Sequence, residues 1–246
     1  MHSSVKNLTY INNNKATDNT ILLNNIIEAC ICSKVSRLIH CSTAAVVGNV
    51  EASSVNEETP CNPNTAYEKV KISLENIALS ALSSGVDIGI LRPTAIVGPR
   101  GKNLLKLIHR LKHGSKFVNY LRTCILGSMP MHLVPIEDVS AALLHLATSV
   151  TPLNGGIFII SADQDVDNNY RRVEKIVLDA LDLKQIAFPC IVPPKSFLSL
   201  VFKLTNRNDI NMGRVYDSQK LYDHGFKPTG SVKRAIEEFV SFGQRK

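Results

Sequence analysis

Ser36-Arg-Leu-Ile-His-Cys-Ser42 is a short, non-alternating apolar run that gives way to the small residues of Thr43-Ala-Ala-Val-Val-Gly48. A run of that length, ended by small residues, is the pattern of a strand buried inside a parallel sheet. Upstream, Asn19 to about Ile31 is an apolar helical run with Asp18 or Thr17 available as a cap. Its apolar residues cover most of the helix circumference, which predicts burial on two sides. The first eighteen residues, rich in Asn and Ser, read as a loop. Downstream, Val86 to Leu91 is a second inner strand closed by Arg92-Pro93, and a helical run separates the two strands. Helix, strand, helix, strand is the alternation of an α/β fold with a doubly wound parallel sheet, whose ligands lie outside the carboxyl ends of the strands. Thr43 and Arg92-Pro93 both fall at such ends.

The intervening helix has a readable start. Thr65-x-x-Glu68 is a capping box behind the turn residues Pro63 and Asn64, so the helix begins at about Ala66 and ends at Ser83-Ser-Gly85. Val70, Leu74, Ile77, Ala78, Ala81 and Leu82 form its apolar side. Tyr67 and Lys71, four residues apart in the first turns, share another face. A phenol titrates at about 10 on its own, and a nearby cation favours its phenolate. The pair therefore suits proton exchange with an alcohol or carbonyl. Tyr-x-x-x-Lys taken alone is common by chance and reads first as a solvated helix face.

From Arg100 to Arg122 the chain has seven Lys or Arg and no acid, with leucines interleaved. We read an amphipathic basic helix and its tail, packed by its leucines and solvated on its basic side; an electropositive wall for a diphosphate comes second and an RNA or membrane contact third. Met131 to Pro135 reads as extended, Ile136 starts a helix, and Gly155 to Ser161 is another buried strand. Helices are expected from Arg171 to Leu183 and from about Val232 to Phe242.

With 246 residues the chain is long enough for a full core, and 44% hydrophobic against 20% charged residues excludes a disordered chain. A net charge of +7 points to an anionic ligand or surface without naming one. Six scattered cysteines lack a disulfide-framework spacing, so a reduced, cytoplasmic protein is expected. Cys30, Cys32, His40 and Cys41 fall in a helix and a strand rather than a ligand loop, so no metal site is expected. Phe188 to Leu204 is apolar but broken by Pro189, Pro193, Pro194 and Lys195, which argues against a membrane span. There is no Gly-x-Ser-x-Gly and no His-Glu-x-x-His, and the glycines of Gly98-Pro-Arg-Gly-Lys102 are too close for a phosphate loop.

Six segments in register resemble the extended short-chain dehydrogenase/reductases, in particular NAD-dependent nucleotide-sugar epimerases and dehydratases. Asn19 with Asn25-Ile-Ile-Glu-Ala-Cys30 resembles that family's Asn-bearing helix, and Ser42-Thr43-Ala-Ala-Val-Val-Gly48 its Ser-Ser-x-x-Val-Tyr-Gly turn. Pro63-x-x-x-Tyr67-x-x-x-Lys71-x-x-x-Glu75 is similar to the active-site helix. Leu91-Arg92-Pro93 with Val97-Gly98-Pro99 resembles the following strand and loop. His132-Leu-Val-Pro-Ile-Glu-Asp138-Val139 resembles the His-Val-x-Asp-Val segment, and Asp217-Ser-Gln-Lys-Leu221 through Gly225-Phe-x-Pro228 resembles the C-terminal ending.

The resemblance implies a partial Rossmann-type sheet, with residues 1–98 and 130–162 as the dinucleotide-binding part and 99–129 and 163–246 as a small substrate-binding region. It implies Tyr67, Lys71, Thr43 and Asn19 as catalytic residues and Tyr67, Lys71, Ser42 and Pro93 as contacts for NAD or NADP. Thr43, Thr94, Arg214 and Asp217 would bind a nucleotide-sugar substrate. Read from the residues alone, Arg214 and Asp217 are as well explained by a surface ion pair. The two apolar helices imply a homodimer, and neither nucleic acid nor membrane is expected as a partner. Met1-His2-Ser3-Ser4 resembles the segment after the family's fourth strand, and no Gly-x-x-Gly-x-x-Gly is present. The chain is accordingly expected to lack the family's pyrophosphate loop, either because the sequence is a fragment or has a misassigned start or because the gene product is truncated; in the truncated case the edge near Val35 to Ser42 would be exposed and the cofactor held poorly. The alternatives are a reductase of a non-sugar carbonyl such as a steroid, and a non-catalytic binding protein.

Overall fold

The computed structural model describes residues 2–184 and 213–244, with residues 2–16 as helix backbone only. Cys190 and the apolar stretch Phe188 to Leu204 lie outside the described residues. Contacts divide the chain into two compact units, Met1–Val50 with Glu57–Pro93 and Ala142–Ile159, and Glu51–Asn56 with Thr94–Ala141 and Ile160–Lys246.

The first unit is built on parallel strands joined by the helix that the capping box announces. β1 (Arg37–Cys41) pairs in parallel with β3 (Asp87–Pro93), Arg37 opposite Asp87 and Cys41 opposite Leu91. Among the described residues the sheet order is β1-β3-β6, where β6 is Gly156–Ile160, so β1 is an edge and β3 is central. That explains their burial: β3 is closed off from Ile88 to Pro93, whereas β1 is only half-buried. Between them, α2 (Ala66–Ser80) starts at Thr65, whose hydroxyl accepts from the Glu68 N–H at 3.2 Å while the Glu68 carboxylate accepts from the Thr65 and Asn64 N–H groups at 3.0 and 2.7 Å. Burial alone would raise the Glu68 carboxyl, but these hydrogen bonds outweigh it and hold the group below its ordinary value. Leu74, Ala78 and Ala81 pack with Leu23, Val86 and Ile88 in the unit's core.

The first helix departs from expectation twice. α1 runs unbroken from His2 to Cys32 rather than starting at Asn19. No Gly or Pro occurs in residues 1–32, so nothing in the Asn-rich stretch stops the helix. It also buries one stripe, not two sides: Leu23 is in the core, whereas Ile21, Leu22, Ile26 and Ile31 are exposed.

At the amino ends of the strands, Arg37 clamps the unit. Its Nε donates to Asp87 at 2.7 Å and its other nitrogens donate to the Leu146, Ser149 and Thr151 carbonyls. Asp87 also accepts from the Leu153 and Asn154 N–H groups.

In the second unit β4 (Ala95–Val97) pairs in parallel with β5 (Leu133–Pro135), and β2 (Ser54–Val55) with β7 (Val215–Tyr216). The single basic helix expected from Arg100 to Arg122 is two, α3 (Leu105–His113) and α4 (Lys116–Leu126), separated by Gly114 and Ser115. They pack on α6 (Tyr170–Ala180), and the C-terminal helix Val232–Gln244 completes a core of Leu107, Val173, Val177, Ile236 and Phe239. The helix starting at Ile136 is α5 (Ile136–Thr148), and its Asp138 accepts from the Thr229 and Gly230 N–H groups at 2.9 and 2.8 Å.

Cys30, Cys32, Cys41 and Cys61 are free thiols, but Cys124 is disulfide-bonded, which departs from the expectation of a fully reduced chain.

Candidate functional site

Thr43, two residues past the end of β1, caps the 3-10 turn Ala44–Val47, its Oγ1 accepting from the Ala45 N–H at 3.3 Å. A hydroxyl that accepts from the backbone still has its own proton to donate. The turn ends at Gly48, where φ is +65° and a Cβ would overlap the Asn62 carbonyl oxygen. Only glycine fits here. The close approach lets the loop ahead of α2 bridge to the turn, Asn62 N–H donating to Val47 O at 2.9 Å and Asn49 N–H to Asn62 O at 3.3 Å. Gly48 thereby fixes where α2 begins relative to Thr43.

On α2, Tyr67 is 57% exposed in the first turn, with its phenol presented to solvent rather than used in the core. Lys71, one turn on, donates from Nζ to the Cys41 carbonyl at 3.5 Å, placing its charge over the carboxyl end of β1 beside Ser42 and Thr43. The ammonium shapes what lies beneath it. Burial first and Lys71 second hold the His40 imidazole below its ordinary value, against the opposing pull of Glu75. Burial raises the Cys41 thiol, which Lys71 opposes. Both groups are therefore neutral at pH 7, so neither adds a charge beside Lys71.

Ser42 is buried, and its Oγ has no hydrogen-bond partner among the described residues. A buried hydroxyl without a partner at a strand's carboxyl end fits a site completed by a bound polar ligand. Pro93 ends β3 at the same level. A polar ligand group at the carboxyl ends of β1 and β3 would meet Ser42, Thr43 and Pro93 together. Asn19 is exposed on α1, which packs against α2. Thr94, Arg214 and Asp217 belong to the second unit. Thr94 is buried, its N–H donating to Ile160 O at 3.0 Å. Asp217 accepts from the Gln219 N–H at 2.8 Å, ahead of the short helix Gln219–Asp223.

Two pairs escaped the reading of the sequence. Glu75, two turns beyond Tyr67, takes Arg92 in a fork, Nε to Oε1 at 3.0 Å and Nη2 to Oε2 at 2.6 Å, with the side chains 1% and 3% exposed. Burial works against the Arg92 charge, but Glu75 more than compensates and holds the guanidinium above its ordinary value. In the second unit, the His132 Nδ1 lies 2.7 Å from the fully buried carboxylate of Asp163, which also accepts from the Tyr216 N–H at 2.8 Å. His132 has φ of +52° and meets the Tyr216 ring edge-on at 5.0 Å. Only the positions of Glu75 and Arg92 in their motifs could have hinted at the first pair.

Residues 4–161 match the NAD dependent epimerase/dehydratase family. The chain is 26% identical over 243 residues to short-chain dehydrogenase/reductase family 42E member 1 of Danio rerio, covering 87% of this chain and 59% of that protein. It is 31% identical over 116 residues to sterol demethylase protein B of Methylococcus capsulatus, covering 45% and 33%. The chain thus spans less than two thirds of the length of these curated relatives. UDP-glucuronic acid 4-epimerase of Bacillus cereus, solved with UDP-glucuronic acid and NAD, superposes with a TM-score of 0.66 at 18% identity over 92% of this chain and 67% of the other. That likeness shows a shared Rossmann-type α/β fold. With its match covering more than half of the sequence, the chain belongs to the NAD dependent epimerase/dehydratase family.

Proposed function

We propose that this chain carries the proton-transfer site of an NAD(P)-dependent epimerase, dehydratase or reductase acting on a nucleotide-linked sugar. The observation that carries the reading is Lys71: its ammonium is held on the Cys41 carbonyl beside Thr43, one turn from the exposed phenol of Tyr67. Tyr67 takes the proton of a sugar hydroxyl. Thr43 donates its remaining hydroxyl proton to the same oxygen, and the Lys71 charge stabilises the negative charge that develops there. NAD or NADP, when bound, accepts the hydride, and Ser42, Pro93, Tyr67 and Lys71 are the residues of this chain that would hold its nicotinamide end. Asn19 supports the relay from α1. Arg214, Asp217 and Thr94 are assigned to the substrate's nucleotide and sugar, with the second unit as substrate-binding region. The exposed Ile21, Leu22 and Ile26 of α1 support a homodimer through α1 and α2. The free thiols of Cys30, Cys32, Cys41 and Cys61 suit a cytoplasmic setting, and the disulfide at Cys124 counts against it.

The test is titration of the chain with NADH followed by cofactor fluorescence, then turnover of UDP-linked sugars. Saturable NADH binding weakened by Lys71→Ala is expected; absence of binding would overturn the reading in favour of a non-catalytic protein. A second reading, a reductase of a sterol-like carbonyl, is favoured by the Methylococcus relative, whose name is sterol demethylase protein B. NADH oxidation with a 3-ketosteroid but with no nucleotide sugar would establish it.

A further inference from the structure

From Arg100 to Ile136 the chain has seven Lys or Arg and no Asp or Glu. Among the described residues, α3 and α4 fold this stretch into a helical pair that packs on one side only. Leu104, Leu107 and Leu111 join the core with α6, and Thr123 and Cys124 are buried. On the other side Phe117 is 62% exposed, with Leu105, Val118 and Leu121 also exposed. Phe117, Val118 and Leu121 lie at i, i+1 and i+4, along one side of α4. Every residue of the tip 112–118, Lys112-His113-Gly114-Ser115-Lys116-Phe117-Val118, is exposed, as are Lys102 and Lys106 behind it.

A merely solvated basic face does not call for a Phe, a Val and a Leu held in water beside its lysines. Single-stranded RNA would want successive aromatic platforms, and this tip has one aromatic ring. An anionic bilayer surface satisfies both halves: lysines pair with headgroup phosphates while the apolar side chains enter the acyl boundary. We propose that the α3–α4 tip docks this protein on an anionic phospholipid surface, with Phe117, Val118 and Leu121 inserted and Lys106, Lys112 and Lys116 at the phosphates. The contact is peripheral, since no helix among the described residues is long and apolar enough to cross a membrane.

The test is co-sedimentation of the full chain with vesicles of phosphatidylcholine alone and of phosphatidylcholine mixed with phosphatidylglycerol. Salt-sensitive binding to the mixed vesicles only is expected. Each basic residue near such a surface is worth about fivefold in partitioning, so Lys112→Ala with Lys116→Ala should weaken binding by about 25-fold. Phe117→Ser with Leu121→Ser should weaken it by about a hundredfold, at about tenfold per inserted side chain, with the far-UV circular dichroism unchanged because both residues are exposed. Failure of the wild-type chain to bind mixed vesicles would overturn the proposal. So would equal binding to phosphatidylcholine, or binding that follows the lysines but ignores Phe117 and Leu121, which is adsorption by charge alone. Retention on single-stranded RNA stronger than on the mixed vesicles would also overturn it, in favour of nucleic acid.

Discussion

Removing the carboxylate of Glu75 should do more damage to the first unit than its lack of any contact with substrate would suggest. The forked pair of Glu75 and Arg92 joins α2 to the central strand β3 with almost no water around either side chain. Glu75→Leu leaves a guanidinium buried against apolar neighbours without its partner, and breaking a buried pair in that way costs about 3–5 kcal/mol. Replacing both charges by apolar side chains of similar volume, Glu75→Leu with Arg92→Met, removes the stranded charge as well, and such exchanges are near neutral or stabilising. Unfolding in urea, followed by circular dichroism because the chain has no Trp, measures the cycle. With a slope of about 1–3 kcal/mol per molar urea, the single variant should lose about 2 M from its midpoint or fail to fold, while the double variant stays near the wild type. A single variant within about 1 kcal/mol of the wild type would refute the reasoning, because exposed pairs are worth no more than that. Additive losses in the double variant would refute it too, since they would mean that the two side chains do not act on each other.

Tyr67→Phe should abolish turnover of any alcohol or carbonyl substrate while moving stability by less than about 0.5 kcal/mol, as befits an exposed position; a thermal melt beside an activity assay checks both, and retained turnover would remove Tyr67 from the relay. Gly48→Ala should destabilise the first unit by at least about 1–3 kcal/mol, through a backbone conformation that glycine alone adopts freely and a clash with Asn62; an unchanged urea midpoint would show that the turn can shift. Glu174 should make the second unit less stable as pH rises. Burial pushes its carboxyl up, only partly opposed by the Thr123 hydroxyl at 2.7 Å, the Arg110 charge and Tyr170. The folded state thus binds the proton more tightly than the unfolded chain, so this group's contribution is full below the ordinary glutamate value and is lost as pH rises through the raised one. Glu174→Gln, which mimics the protonated acid, should gain on the wild type in Tm from pH 5 upward; a gap that stays constant or narrows would contradict the sign.

What could be read from the sequence follows the reach of each interaction. The start of α2 was legible because a capping box is a relation between residues three apart, and Thr65 and Glu68 form both of its bonds. β1 and β3 were legible because strands flanked by helices read as continuous apolar runs. α1 departs from what its sequence suggests: its Asn-rich start points to a loop where no residue stops a helix, and its apolar circumference points to two buried sides where one stripe is buried. The break between α3 and α4 is written in Gly114-Ser115, but the run of like charges continues across it and gives no sign of two helices.

Long-range polar pairs carry no such periodic trace. Glu75 and Arg92 are separated by a helix and a turn, His132 and Asp163 by 31 positions, and Asp138 and Gly230 by 92. Each pairing has a physical reason that only folding reveals, since a polar group taken out of water must find whatever donor or acceptor the chain brings near. These pairs also decide whether the legible motif can act. Lys71 reaches the Cys41 carbonyl at the end of β1 from a helix that Glu75 ties to Arg92 and that follows the loop admitted by Gly48. The spacing of the relay is written in four residues, but its aim is set by contacts that the spacing does not contain. A variant that keeps Tyr67 and Lys71 and loses Glu75 should therefore keep the motif and lose the site.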